Sequence, residues 1–175
     1  MQTHLWRPPG RRVRLPRPII AILASATLVL TGLLGAAAVV PQANAATCGT
    51  TNVALNRPAT ASSLENSSFP ASNAVDGNTG TRWSSAFSDP QWLEVDLGST
   101  QSICQVTLNW EAAYATAFQI QTSTDNSTWT SIYSTTTGTG GTQTLSVTGS
   151  GRYIRMYGTA RATQYGYSIY EFQVY

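Results

Sequence analysis

From residue 46 onward the chain predicts an all-β fold, an antiparallel sandwich. Three observations predict it. Short runs rich in β-branched and aromatic residues recur at turn-punctuated intervals, several of them alternate apolar and polar side chains with a period of two, and no stretch carries the 3.6-residue period of an amphipathic helix. In order, the runs are "TRWSS", "QWLEVDL", "SICQVTLNW", "AFQIQTS", "WTSIYST", "QTLSV", "RYIRMYG" and "YSIYEFQVY".

In "QWLEVDL" the alternation puts Leu93, Val95 and Leu97 on one face and Trp92, Glu94 and Asp96 on the other. The next run aligns Cys104, Val106, Leu108 and Trp110, and the last aligns Tyr170, Phe172 and Val174; these apolar sets are the expected core. "TDNST" (124–128) and "TTTGTGGTQ" (135–143) have the Asx and glycine chemistry of hairpin connections. Trp83, Trp92, Trp110 and Trp129 are expected to serve packing before binding. About 130 residues make one domain, large enough to bury roughly two-thirds of its unfolded surface. No linker, second domain or repeat is visible.

Residues 1–45 are set apart as an export signal. Arg7, Arg11, Arg12, Arg14 and Arg17 form a basic front, an apolar run fills 19–40, and "PQANA" places Ala43 and Ala45 at the small-residue cleavage positions. The apolar run is also long enough for a retained membrane anchor, and the twin arginines at 11 and 12 are a weak match to a second export route. Cleavage after Ala45 leaves 46–175 as a secreted, extracellular domain.

Removal of the leader changes the electrostatics. The formal charge of +2 falls to −3, because five arginines then stand against eight acidic residues and the chain has no lysine. Five scattered arginines make no stripe for a phosphate backbone, which excludes nucleic acid as the expected partner. The single histidine, His4, also leaves. Histidine triads, proton relays and histidine zinc sites are excluded with it. Cys48 and Cys104 are the whole thiol inventory, and in an exported chain a disulfide between them is the default, with two free thiols or an intermolecular bridge as alternatives.

The turn "DGNTGTRW" (76–83) invites comparison with the calcium loop D-x-[DN]-x-[DN]-G, and the comparison fails. Gly80 stands where an oxygen ligand belongs, Thr81 where the glycine belongs and Phe87 where the closing glutamate belongs. An ion held here needs ligands from elsewhere in the chain.

"NVALNRPATASS", "NAVDGNTGTRWSS", "QWLEVDLGS", "RYIRMYG" and the closing "YEFQVY", in this order, resemble the discoidin-like (coagulation factor 5/8 type C) domain and, within it, bacterial carbohydrate-binding modules of family 32. The resemblance covers residues 52–175. It implies a galactose-binding-like β-sandwich of jelly-roll type, a structural calcium ion, and recognition of polysaccharide or oligosaccharide by loops at one end. A monomer with no membrane partner once the leader is gone is expected. The implied calcium ligands are carbonyls of Asn73, Asn78 and Tyr170, the carbonyl and hydroxyl of Thr81, and the carboxylates of Asp76 and Glu171. Two carboxylates and several neutral oxygens suit a hard cation. The alternative is an Asx turn at Asp76 and Asn78 without an ion.

Sugar binding needs an apolar surface for ring hydrogens and fixed polar groups around it. Loop stretches offer Glu65, Arg82, Phe87, Glu111, Tyr114, Arg161, Tyr165 and Tyr167. "TRWSSAF", "NWEAAYATAF" and "RATQYGYS" resemble the modules of bacterial chitosanases, which implies that Glu65, Arg82, Phe87, Glu111 and Tyr165 form the binding face. Phe87 stands where tyrosine is usual, at an expected cost of about 1 kcal/mol for the lost hydroxyl bond. Paired carboxylates suit the ammonium of glucosamine, so chitosan is the favoured ligand. The competing ligands are a β-1,3-glucan or a galactose-containing glycan. Each of these residues also has a structural alternative, as solvated charge, ion-pair member or packing residue. Two functions of other classes are weighed against binding: a glycosidase using Glu65 and Glu111 as acid and base, and an adhesion domain, which would need apolar spikes on long loops.

Overall fold

The protein is described here from a computed structural model, which describes residues 48–175; the leader assigned to 1–45 lies outside them. Seven strands are described: β1 (Ala59–Ala61), β2 (Trp83–Ser84), β3 (Gln91–Trp110), β4 (Ala115–Ser123), β5 (Thr130–Thr135), β6 (Thr142–Arg161) and β7 (Ser168–Val174). One short 3-10 turn, Ala71–Val75, separates β1 from β2. All strand pairings are antiparallel, in the order β2-β7-β3-β6-β4-β5, with β1 beside β3.

Two long strands make the sandwich. "QWLEVDL" and "SICQVTLNW" are one continuous strand, β3, as are "QTLSV" and "RYIRMYG" in β6. Their pairing breaks register between Asp96 and Gln101, where Gly98 takes a φ of 84° and the ladder bends. On one side of the bend, residues 91–96 of β3 pair with β1 and with 153–158 of β6, which continues to β4 and β5. On the other side, residues 101–109 pair with 142–151 of β6, and β7 follows. Each long strand therefore runs through both layers, and the side chains between the layers form one core.

Leu93, Val95 and Leu97 of the first layer meet Val106, Leu108, Phe172 and Val174 of the second, all 0 % exposed. Trp110 and Phe118 cross the core edge to face, with ring centroids 5.6 Å apart. Trp83 is fully buried and Trp92 and Trp129 half-buried, the last beneath the Arg155 guanidinium at 4.0 Å.

Three expectations need correction. Tyr170 is not core: β7 pairs Glu171 with Asn109 and then Ile169 with Trp110, so Tyr170 is the extra residue of a bulge and Ile169 takes the buried place. Cys104 is only half-buried, because a second register shift between Ile103 and Gln105 turns Ile103 inward. The stretch 135–143 is not a hairpin, since β5 pairs with β4 and the chain crosses to β6 in the other layer. Gly140 is needed there for a φ of 68° and for lying against the Tyr114 ring. "TDNST" is the expected hairpin, closed by Asp125 Oδ1 accepting from the Ser127 and Thr128 N–H groups at 2.9 and 2.8 Å. Cys48 and Cys104 are joined as a disulfide, Cα atoms 5.6 Å apart, tying the segment before β1 to β3.

Candidate functional site

Four connections meet at one end of the sandwich: 62–70 after β1, 85–90 between β2 and β3, 111–114 between β3 and β4, and 162–167 between β6 and β7. Around them lies a hollow of about 210 Å³ lined by Glu65, Arg82, Ser84, Phe87, Glu111, Ala113 and Tyr165. The five residues assigned to sugar binding are thus gathered in one place. Two larger hollows, of about 470 and 530 Å³, are lined mainly by Thr and Ser and have no charged side chain. Unlike those two, the smaller one combines charged side chains with two exposed aromatics.

Backbone pairing positions each functional side chain. Glu65 N–H donates to the Ser84 carbonyl at 2.7 Å, which lays the first loop along β2. Glu111 N–H donates to the Ser168 carbonyl at 3.0 Å, and Ser168 N–H donates to the Ala113 carbonyl at 2.8 Å, so the third loop is zipped onto β7. Glu111 Oε2 also accepts from the Ala113 N–H at 2.9 Å, leaving its other oxygen without a hydrogen bond among the described residues. Arg82 is held on three sides. Its Nε donates to Ser168 Oγ at 2.9 Å, its guanidinium carbon lies 3.8 Å from the Phe69 ring centroid, and its Nη2 is 3.7 Å from Glu65 Oε2.

Phe87 and Tyr165 form the apolar wall. They are 50 % and 53 % exposed and pack edge to face, centroids 5.7 Å apart. Their loops are bound together behind the rings: Ser85 N–H donates to the Tyr167 carbonyl at 2.9 Å and Tyr167 N–H to Ser85 Oγ at 2.8 Å. A Cβ on Gly166 would lie 2.5 Å from the Ser85 carbonyl oxygen, so only glycine permits this approach. Ala86 N–H donates to Ser63 Oγ at 2.9 Å, and Ser63 in turn donates to Gln91 Oε1 at 2.7 Å.

Three other loop candidates lie outside the lining. Tyr167 is 0 % exposed, and its hydroxyl donates to Asp89 Oδ1. Burial, with the Asp89 carboxylate adding to it, raises the phenol well above its ordinary range. Arg161 Nε donates to the other Asp89 oxygen at 3.1 Å, and its Nη1 donates to the carbonyls of Gln164 and Tyr165 at 3.2 Å. Tyr167, Arg161 and Asp89 are therefore positioning residues for the loop carrying Tyr165. Tyr114 packs on the core and beside Gly140. Sequence reasoning missed Asp89 and Gly166, since a carboxylate 78 residues from its phenol partner has no local signature.

The turn after Val75 brings Asp76, Asn78, Thr81 and Glu171 together. Asp76 Oδ1 accepts from the Asn78 N–H at 2.8 Å, Asp76 Oδ2 from the Thr81 hydroxyl at 2.7 Å, and the Asn78 carbonyl lies 2.8 Å from that hydroxyl. Glu171 is 3 % exposed, and neither of its oxygens makes a hydrogen bond of ordinary geometry. Burial, then repulsion from Asp76, pushes its carboxyl up to about 7, while the Gly77 and Asn78 N–H groups offset part of the rise. Two facing carboxylates, one buried without partners, fit a bound cation. Among the described residues no three His, Cys, Asp or Glu side chains cluster, so carbonyls and the Thr81 hydroxyl must complete such a set. Asn73 lies in the 3-10 turn leading to Asp76, and its side-chain amide donates to the Arg82 carbonyl at 3.2 Å; Tyr170 precedes Glu171 in β7.

A match to the F5/8 type C domain family spans residues 58–172. Chitosan-binding module 1 of a chitosanase/glucanase from Paenibacillus sp. IK-5 is 51 % identical, with a TM-score of 0.69, over 71 % of this chain and 98 % of that one. Module 2 of the same enzyme, solved in complex with chitotriose, is 49 % identical, with a TM-score of 0.70, over 71 % and 99 %. The polysaccharide lyase 8 family protein HylA of Enterococcus faecalis (strain ATCC 700802 / V583) is 40 % identical over 76 residues, which are 43 % of this chain and only 6 % of that protein.

Proposed function

The chain belongs to the F5/8 type C domain family, and from that premise we propose that it is a non-catalytic domain that holds glucosamine-containing polysaccharide, chitosan above all, at the hollow between its loops. One observation carries the reading. Two carboxylates, one guanidinium and two exposed aromatic rings, drawn from separate parts of the sequence, line a single small hollow. The set carries one net negative charge and an apolar wall, the complement of one sugar ring bearing an ammonium group. The likeness to two chitosan-binding modules supports it.

Binding then proceeds as follows. A ring lays its carbon-bound hydrogens against Phe87 and Tyr165, while its ammonium donates to Glu111 and Glu65. Arg82, fixed by Ser168 and Phe69, orients Glu65 and offers its remaining N–H groups to hydroxyls. No proton moves and no bond breaks.

We propose calcium at the Asp76 turn, with Asp76, Asn78, Thr81 and Glu171 as the holding residues and Asn73 and Tyr170 adding carbonyls. The ion would neutralise Glu171 and pin β7 to the turn; it would take no part in binding chemistry. Export through the leader at 1–45, and action outside the cell, complete the proposal.

Calorimetry with glucosamine oligomers, laminarin oligomers and galactose, each at two salt concentrations, tests the reading. Salt-sensitive binding of the glucosamine series is expected. Equal or tighter binding of the neutral series would replace it with neutral-glycan binding, and reducing-sugar release by pure protein would replace it with hydrolysis.

A further inference from the structure

A second hollow, of about 250 Å³, adjoins the first and differs from it in chemistry. Leu64, Glu65, Ala86 and Phe87 line it, so the two share Glu65 and Phe87. Leu64 and Phe87 are 43 % and 50 % exposed. Of the four large apolar side chains exposed among the described residues, Leu64, Phe87 and Tyr165 line these two hollows. An apolar shelf continuous with a charged site marks a place where ligand continues.

We propose that this shelf takes an N-acetylated unit next to the glucosamine in the first hollow, its acetamido methyl on Leu64 and Ala86 and its N–H donating to Glu65. The proposal rests on the reading of the first hollow given above. Charge decides against a second ammonium. Glu65 and Glu111 against Arg82 leave one net negative charge, which a single ammonium neutralises. The second hollow adds no charge of its own, because Glu65 is its only ionised residue and is shared. A second ammonium there would be desolvated against Leu64, Ala86 and Phe87 without a counter-charge. An acetamido group matches what is present, with one N–H for a carboxylate oxygen and one methyl for an apolar floor. Partially acetylated chains are thus the ligand class of the combined site.

The test is calorimetry on the purified protein with the four β-1,4 disaccharides of glucosamine and N-acetylglucosamine, together with saturation-transfer NMR on the acetyl methyl. One mixed isomer is expected to bind about fourfold tighter than the glucosamine dimer, a methyl group's worth of burial. Its methyl protons should show strong transfer. Leu64→Ser, at a position 43 % exposed, should bring the mixed isomer within twofold of the glucosamine dimer and abolish the transfer. A glucosamine dimer that binds at least as tightly as both mixed isomers would overturn the proposal while leaving the first hollow intact. So would a gain that survives Leu64→Ser, or tightest binding by the diacetylated dimer. If no glucosamine-containing dimer binds, the reading of the first hollow falls and the proposal with it.

Discussion

Replacing Glu111 by glutamine removes one charge from the hollow while keeping its shape. Glu111 Oε2 accepts the Ala113 N–H at 2.9 Å, and the amide oxygen of glutamine can keep that bond. The other oxygen, which has no hydrogen bond among the described residues, becomes an NH₂ that cannot accept from an ammonium. The net charge of the lining goes from −1 to zero. A hydrogen bond to a charged group contributes about 1.5–3 kcal/mol and a neutral one about 0.5–1.5, so the variant should lose roughly 1–1.5 kcal/mol. Glu111 is part-exposed, and solvent screening keeps the Coulomb share within that range. Affinity for glucosamine oligomers should fall about five- to tenfold. Affinity for a neutral oligomer should change less than twofold, and the salt dependence of glucosamine binding should flatten. The assay is calorimetry on wild type and Glu111→Gln at two ionic strengths, with urea midpoints to show equal stability. Equal losses for both ligands, or no loss for either, would refute the carboxylate mechanism.

Gly166→Ala places a Cβ 2.5 Å from the Ser85 carbonyl oxygen; urea unfolding should show a loss of about 1–3 kcal/mol, with weaker glucosamine binding as the Tyr165 loop is pushed from Phe87. Calcium should raise the melting temperature of the wild type, by about 2.7 kcal/mol of stability at one hundred times its Kd, and Glu171→Gln should abolish that increment; an unchanged melting curve in excess EDTA would remove the ion. Asp96 accepts two bonds from Arg152 at 2.8 Å, chiefly through which its carboxyl is held below its ordinary value. Its contribution is therefore complete above the unfolded pKa of about 3.9 and is lost as pH falls through the lower folded value, so Asp96→Asn should flatten the acid limb of a stability–pH curve. Cys48→Ser opens a bond spanning 56 residues and should cost roughly 4 kcal/mol by denaturant unfolding.

Much of this was legible in the sequence where a signal is local. Period-two alternation found Leu93, Val95 and Leu97, because a strand with one buried face must write its core at every second residue. The same rule misread Tyr170, since a bulge resets the phase and is decided by the partner strand. The union of two predicted strands into β3, and of two more into β6, was hidden for a related reason: Gly98 reads as a turn, yet here it bends a ladder that continues. Motif resemblance located five of the seven lining residues, but not the parts that hold them. Asp89 bridges Arg161 and Tyr167 across more than 70 residues, and Gly166 is required by a neighbouring backbone and not by its own conformation. Leu64 and Ala86 were passed over because exposure is a property of the assembled surface.

The proposed sugar hollow and the proposed ion site share their structural supports. The turn that would hold the ion ends at Thr81, and the next residue is Arg82. The Arg82 carbonyl accepts from Asn73 at 3.2 Å, its guanidinium donates to Ser168 Oγ in β7 at 2.9 Å, and three residues further along β7 lies Glu171. Anything that pulls Glu171 and Asp76 into a fixed geometry therefore also fixes both the backbone and the side-chain anchor of Arg82. Loops ordinarily lose binding energy to their own ordering, at about 0.5–1.5 kcal/mol for each flexible side chain immobilised. Here the Arg82 side chain is already held by Ser168 of β7 and by the Phe69 ring, so that part of the ordering is in place without a ligand. On the proposed reading, a hollow of only about 210 Å³ would discriminate between a ring with an ammonium and one without because its two carboxylates are already gathered in its lining.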